Sequence, residues 1–256
     1  MLNAVIQSRL PTHDYHGHQR TMFLDPFYSE ENGFIQISAE QASQFAKGIS
    51  DDFNPIHDPG SRRFCVPGDL LFALVLSKYG LSQNMSFRFS GMVGALTPLA
   101  FPNSDAPHLE IVNDKGKDFM DIERSGEVSH NSDMIQAMIK SYVVFSGHNF
   151  PDILVPLMAE HEVMINPARP LVIYEGMSFN LEHLNFSNPE LELSKSSLQV
   201  SGKRGNAELQ FNIIDAGRPV GTGLKKLVLS GQREYEEAAM QDMCDQYYSF
   251  KENYKD

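Results

Sequence analysis

Residues 70–80 read LLFALVLSKYG, a run apolar on every face for two helical turns. A helix with no polar side must be buried on all sides, so this segment demands a layer of structure wrapped around it. Its flanks suit a helix: Asp69 stands where the positive end lies, Lys78 where the negative end lies, and Gly80 can end it in the left-handed conformation. The wrapping layer is expected from strand-like stretches downstream, at 85–93 (MSFRFSGMV), 108–112, 119–128 and 136–147 (QAMIKSYVVFSG). A buried helix followed by antiparallel strands predicts an α+β fold in which a sheet curls about one helix. Upstream, Phe34–Ser38 alternates as a strand, and Ser38-Ala39-Glu40-Gln41 has the form of a capping box. That box predicts a short helix to about Gly48 with Phe45 and Ala46 facing inward.

The pattern recurs. Residues 151–158 (PDILVPLM) resemble the start of the first helix at Pro67, and Met177-Ser178-Phe179 repeats Met85-Ser86-Phe87. Strands follow at 191–202, 206–215 and 221–231, the last two joined by the turn Ala216-Gly217-Arg218-Pro219. Two similar halves are therefore expected, each a helix packed in its own sheet. The divisions read as an extension at 1–33, a first half at 34–147, a second at 148–230 and an acidic helical tail at 231–256. That tail holds seven acids and three bases, with Tyr235, Met240, Met243 and Tyr247 at helical intervals.

At 256 residues and 41% hydrophobic, the chain can build a sizeable core. A formal charge of −12 argues against general nucleic-acid binding, which needs a basic surface. No apolar run approaches the ~20 residues of a membrane span, and the N-terminus is unlike a secretory signal. Cys65 and Cys244 are too few and too far apart for a disulfide framework or a cysteine zinc site. These features predict a cytoplasmic protein.

The chemistry is concentrated in residues 49–69, ISDDFNPIHDPGSRRFCVPGD. Asp52 and His57 stand five apart across a turn whose direction Pro55 constrains. Converging on one water, such a pair can remove a proton with one member and return one with the other. The plainer reading is a polar turn in which Asp51, Asp52 and Asn54 satisfy backbone amides. Gly68 favours the first, because N–H groups at a helix start have no partner and can hold a developing oxyanion.

Phe45-Ala46, Ser50 and Asp52 through Asn54-Pro55-Ile56-His57, then Phe64 and Val66-Pro67-Gly68 before the apolar helix, resemble the hydratase signature of MaoC-like proteins. That family includes the (R)-specific enoyl-CoA hydratases of fatty acid metabolism. The resemblance covers about 60 residues, 34–93. It implies a hotdog fold, here a double hotdog, with no cofactor. Asp52 and His57 would be the catalytic pair, Asn54 the brace of the loop, and the Gly68 N–H the donor to the thioester oxygen. Water would add to a 2-enoyl thioester of coenzyme A or acyl carrier protein, giving an (R)-3-hydroxyacyl product. A catalytically silent acyl-thioester-binding protein and a hotdog thioesterase are the alternatives.

The chain departs from the family pattern at named places. Asp51 replaces a usual glycine, Pro67 a usual histidine, and the run from His57 to Phe64 is short. The motif lies in the earlier half, whereas two-halved hydratases carry it in the later one. Arg62 and Arg63, with Phe64, are candidates for binding the substrate and its phosphates. His13, His16 and His18 read as an exposed cluster rather than a metal site, so no metal is expected. Gly221-Thr222-Gly223 before Lys225-Lys226 lacks phosphate-loop spacing and reads as a twisted strand. The methionines at 134, 138, 158 and 164 read as core. Two halves could make a self-sufficient pseudo-dimer, or two chains could associate as a homodimer through sheet faces.

Overall fold

The computed structural model describes residues 22–255; the histidines at 13, 16 and 18 lie outside them. A 3₁₀ turn at Met22–Phe27 leads into the edge strands β1 (Ser29–Glu31) and β2 (Phe34–Gln36). Helix α1 (Ala39–Gly48) begins with the expected capping box: the Ser38 hydroxyl accepts the Gln41 N–H, and the Gln41 side chain accepts the Ser38 N–H. Phe45 and Ala46 face inward and are fully buried.

Helix α2 (Gly68–Tyr79) is the predicted apolar rod. Its residues from Asp69 to Leu76 are all buried, and Phe72 packs edge-on to Phe87 and tilted against Tyr142. Burying a side chain such as Phe72 stabilises the fold by roughly 1.5–3 kcal/mol. Gly80 ends the helix at φ +84°, with an extended ψ of 171° rather than the left-handed helical value, and leads directly into a strand. The strands that follow are β3 (Leu81–Phe89), β4 (Leu99–Ala100), β5 (His108–Asn113) and β6 (Asp118–Ser129).

Residues 136–147, expected as a strand, are helical. They belong to α3 (Ser132–Gly147), capped by Asn131, whose side chain accepts the Met134 N–H at 3.0 Å. Met134, Ile135, Met138, Ile139, Tyr142, Val143 and Ser146 are buried at the spacing of one helix face. The segment compared with the α2 start instead forms two short helices, α4 (Asn149–Asp152) and α5 (Leu154–Glu160). The second long helix of the fold is thus α3, which as the helix of the second half places the division before Ser132 rather than after Gly147. After β7 (Val163–Met164) come β8 (Val172–Leu181), β9 (Glu190–Ser201), β10 (Arg204–Asp215) and β11 (Arg218–Ser230). A short β12 (Arg233–Glu234) pairs with β7, and α6 (Glu237–Lys255) ends the described chain.

One ten-stranded sheet runs β1-β2-β4-β5-β6-β3-β8-β11-β10-β9, antiparallel at every pairing. Outward from its middle, the order β3-β6-β5-β4 on one side matches β8-β11-β10-β9 on the other. The halves meet where β3 pairs β8, with Met85 opposite Phe179, Ser86 opposite Ser178 and Phe87 opposite Met177. The two Met-Ser-Phe repeats therefore face each other about a local two-fold axis. The architecture is a double hotdog of the α+β class, each half a long helix with an antiparallel sheet. One core includes side chains of both long helices and of β3, β8 and β10, and a second lies under α5 and α6. The four methionines read as core are each at most 5% exposed.

Candidate active site between the halves

The motif loop leaves α1 in a set of backbone bonds. Asp52 N–H reaches Ala46 O at 2.8 Å, and the Asp52 carboxylate accepts the Asn54 N–H at 2.9 Å through Oδ1. The Asn54 side chain accepts the Ile56 N–H at 3.1 Å and starts the 3₁₀ turn Pro55–His57. Asn54 therefore braces the loop, and one oxygen of Asp52 does part of the same work. The other oxygen, Oδ2, lies 3.6 Å from His57 Nε2. His57 Nδ1 is 2.7 Å from Cys65 O, so that nitrogen carries its proton and Nε2 is turned to Asp52. Burial by itself would lower the His57 pKa; the Asp52 carboxylate, helped by Cys65 O and Asp69, outweighs it, and the net shift is upward.

Asp52, Asn54, His57, Pro67 and Gly68 line one cavity of about 450 Å³. Its size suits a small organic ligand. In α2 the N–H groups of Leu70 and Leu71 turn back to Pro67 O, and those of Gly68 and Asp69 precede the first helical bond. Gly68 is required by close packing: a Cβ there would come within 2.8 Å of Tyr174 Cδ1. The second half supplies the opposite wall, including Ser146 and Gly147 of α3, Tyr174 of β8 and Lys225 of β11. Gly147 lets α3 abut the motif loop, since a Cβ there would lie 1.9 Å from Ser50 O.

Asp51 does not face Asp52 as a second acid. Its φ of +54° is the conformation that a glycine adopts without strain, and its carboxylate points to the end of the chain. There Oδ2 accepts from Lys251 and, at 2.7 Å, from His148 Nε2. Burial raises the Asp51 pKa, but Lys251 and His148 more than offset this and hold the carboxyl below its usual range. The Tyr247 hydroxyl lies 3.3–3.4 Å from Phe53 N–H, Asp51 O and Gly147 O, fastening α6 across the loop. Met243, Gln246, Tyr247 and Phe250 of α6 also line the cavity.

Arg62 and Arg63 are exposed on the turn and, like Phe64, are not among the lining residues; Phe64 packs half-buried against the core. The sequence points to neither Ser146 nor Tyr174, places Lys225 only in a twisted strand and marks Asp69 only as a helix-end charge. Asp69 and Lys225 are 6% and 4% exposed. Ser146 Oγ donates to Asp69 Oδ2 at 2.6 Å and accepts from Lys225 Nζ, which sits over the Tyr174 ring at 4.4 Å. The Tyr174 hydroxyl bonds that of Tyr142. Burial raises the Asp69 pKa against the pull of Lys225, and burial lowers that of Lys225 against the pull of Asp69 and Asp52. The available signal was alternation: Lys225 shares a strand face with Leu227 and Leu229, both buried.

Fold and cavity together define a double-hotdog protein with an acid–imidazole pair at the junction of its halves. The chain belongs to the family described as "Protein of unknown function (DUF3581)", which it matches over residues 22–238. No curated protein matches its sequence. Among solved structures it is similar to an acyl-CoA thioesterase II, TesB2, of Mycobacterium marinum (10% identity, TM-score 0.41, covering 84% of this chain and 98% of that one). A conserved protein of unknown function with hot dog fold from Alicyclobacillus acidocaldarius gives 8% identity and a TM-score of 0.42, covering 81% and 98%. A MaoC-like dehydratase gives 9% identity and a TM-score of 0.38, covering 80% and 98%.

Proposed function

We propose that the protein is a hydratase that adds water across the double bond of a 2-enoyl thioester, giving the (R)-3-hydroxyacyl thioester. The observation that carries this reading is the 3.6 Å approach of Asp52 Oδ2 and His57 Nε2 on the wall of a cavity that also holds the start of α2. His57, whose Nδ1 is held on Cys65 O and whose pKa is shifted upward against the effect of burial, is assigned the acid through Nε2, and Asp52 the base. Asp52 takes a proton from water as the oxygen bonds to C3. The electron pair of the double bond moves into the thioester, whose oxygen the Gly68 N–H would hold as an enolate. His57 then returns a proton to C2, and the two groups are reset by proton exchange with water.

The thioester class accords with the apolar rim of the cavity, where Met92, Ile173 and Phe250 are 44%, 37% and 42% exposed. Purified protein is expected to consume the enoyl absorbance of a short-chain 2-enoyl-CoA or acyl-carrier-protein thioester. Asp52→Asn and His57→Ala should each lower the rate by roughly 10²–10⁴-fold, the range for loss of general acid–base catalysis. Equal inertness of wild type and variants across chain lengths and both carriers would remove the hydratase reading.

A further inference from the structure

A cavity that held only an alkyl chain would have no reason to bury a lysine and an aspartate in its wall. Besides Asp52 and His57, the charged side chains lining it among the described residues are Asp69 and Lys225, joined through the hydroxyl of Ser146. Their hydrogen-bonding capacity is not used up. Asp69 Oδ1 is buried and has no hydrogen-bond partner among the described residues, and Lys225 has three N–H donors. Buried charged groups gain from every remaining bond they can complete.

We propose that Asp69, Ser146 and Lys225 form a subsite that recognises a hydroxyl group on the acyl chain of the ligand. The pair is neutral as a unit, so a further carboxylate would bring a third negative charge beside Asp52 and Asp69, and an ammonium would face Lys225. A hydroxyl adds no charge, and from one atom it can accept from Lys225 and donate to Asp69 Oδ1. Tyr174, under the lysine and against Gly68, ties this subsite to the place where the thioester oxygen would sit. The substrate class so defined is an acyl thioester already oxygenated along its chain. This rests on the thioester reading above.

The test is calorimetric titration of the full chain with S-acyl pantetheine thioesters, the portion that coenzyme A and acyl carrier protein share. The series has one chain length, saturated, either unsubstituted or with one hydroxyl at successive carbons. One positional isomer is expected to bind about 10–100-fold tighter than the unsubstituted ester, the gain from pairing a hydroxyl with buried charged groups. Single charge removals can unfold the protein by stranding the partner. Asp69→Asn combined with Lys225→Met removes both charges at similar volume, and in it the ratio should fall to about one. A wild-type ratio near one for every isomer overturns the subsite, as does a double variant, folded by circular dichroism, that keeps the preference. A pantetheine-contacting role would weaken all esters alike and leave the ratio unchanged, which also overturns it. Because the readout is binding, a hydroxyl preference in a protein that does not hydrate enoyl esters would remove only the hydratase reading; binding of no ester removes both.

Discussion

The Asp52–His57 pair is decided by which atom each group leaves free. Asn54 N–H takes one oxygen of Asp52 and Cys65 O takes one nitrogen of His57, so a single oxygen and a single nitrogen remain to meet. The effect is testable by titrating the imidazole in NMR spectra. With Asp52 in place the pKa lies above the ordinary 6.5, so the proton is held more tightly in the folded chain. This stabilising contribution is full below 6.5 and is lost as pH rises through the raised folded value. In Asp52→Asn burial is opposed only by weaker partners, and the titration should move to lower pH. A His57 titration that stays put in Asp52→Asn would mean the two groups do not interact. The pair, Asn54 and Gly68 were legible in the sequence because they stand in one short segment whose chemistry is local. Asp69, Ser146 and Lys225 come from three elements up to 156 positions apart, and only folding brings them to one hydroxyl.

Among the elements, α2 was readable because nothing but burial tolerates LLFALVL, whereas α3 was not. Tyr142-Val143-Val144-Phe145 has the composition of a strand, and that local preference loses to packing of the Met134, Met138 and Tyr142 face against α2 and β10. Asn131 was the overlooked start signal. Helix α6 carries more than the sequence suggested for an acidic tail. Tyr247, 5% exposed, meets Phe53 and Phe150 edge-on, while Lys251 pairs with the partly exposed Asp51 and lies 5.9 Å from the centre of the Phe53 ring. Tyr247→Ala should therefore cost about 3 kcal/mol or more in denaturant unfolding. Lys251→Met should cost about 1 kcal/mol or less. Hydrogen exchange at residues 50–57 should speed up in Tyr247→Ala. Acid should loosen the same contact: Asp51 binds its proton less readily when folded, so its contribution is present above 3.8 and is lost as pH falls through the lower folded value. Tyr247→Ala with unaltered exchange in the loop would show that α6 does not brace it.

At the scale of the molecule, neither half closes its own core. Side chains of α2 and α3 share one cluster, and β3 with β8 makes the sheet continuous. Unfolding should be a single transition in which the calorimetric and van't Hoff enthalpies agree to within about 10%. Two separated transitions would show that the halves are independent units. The order of the strands and the Met-Ser-Phe axis make the chain a dimer written in one piece. In an assembly of identical subunits every substitution is made twice, and a lysine suited to one wall would also intrude on the other site. Here the halves can diverge separately. One keeps the acid–imidazole loop and the other has none, so the wall around Lys225 is free to adapt to a ligand while the loop of Asp52 and His57 is held constant.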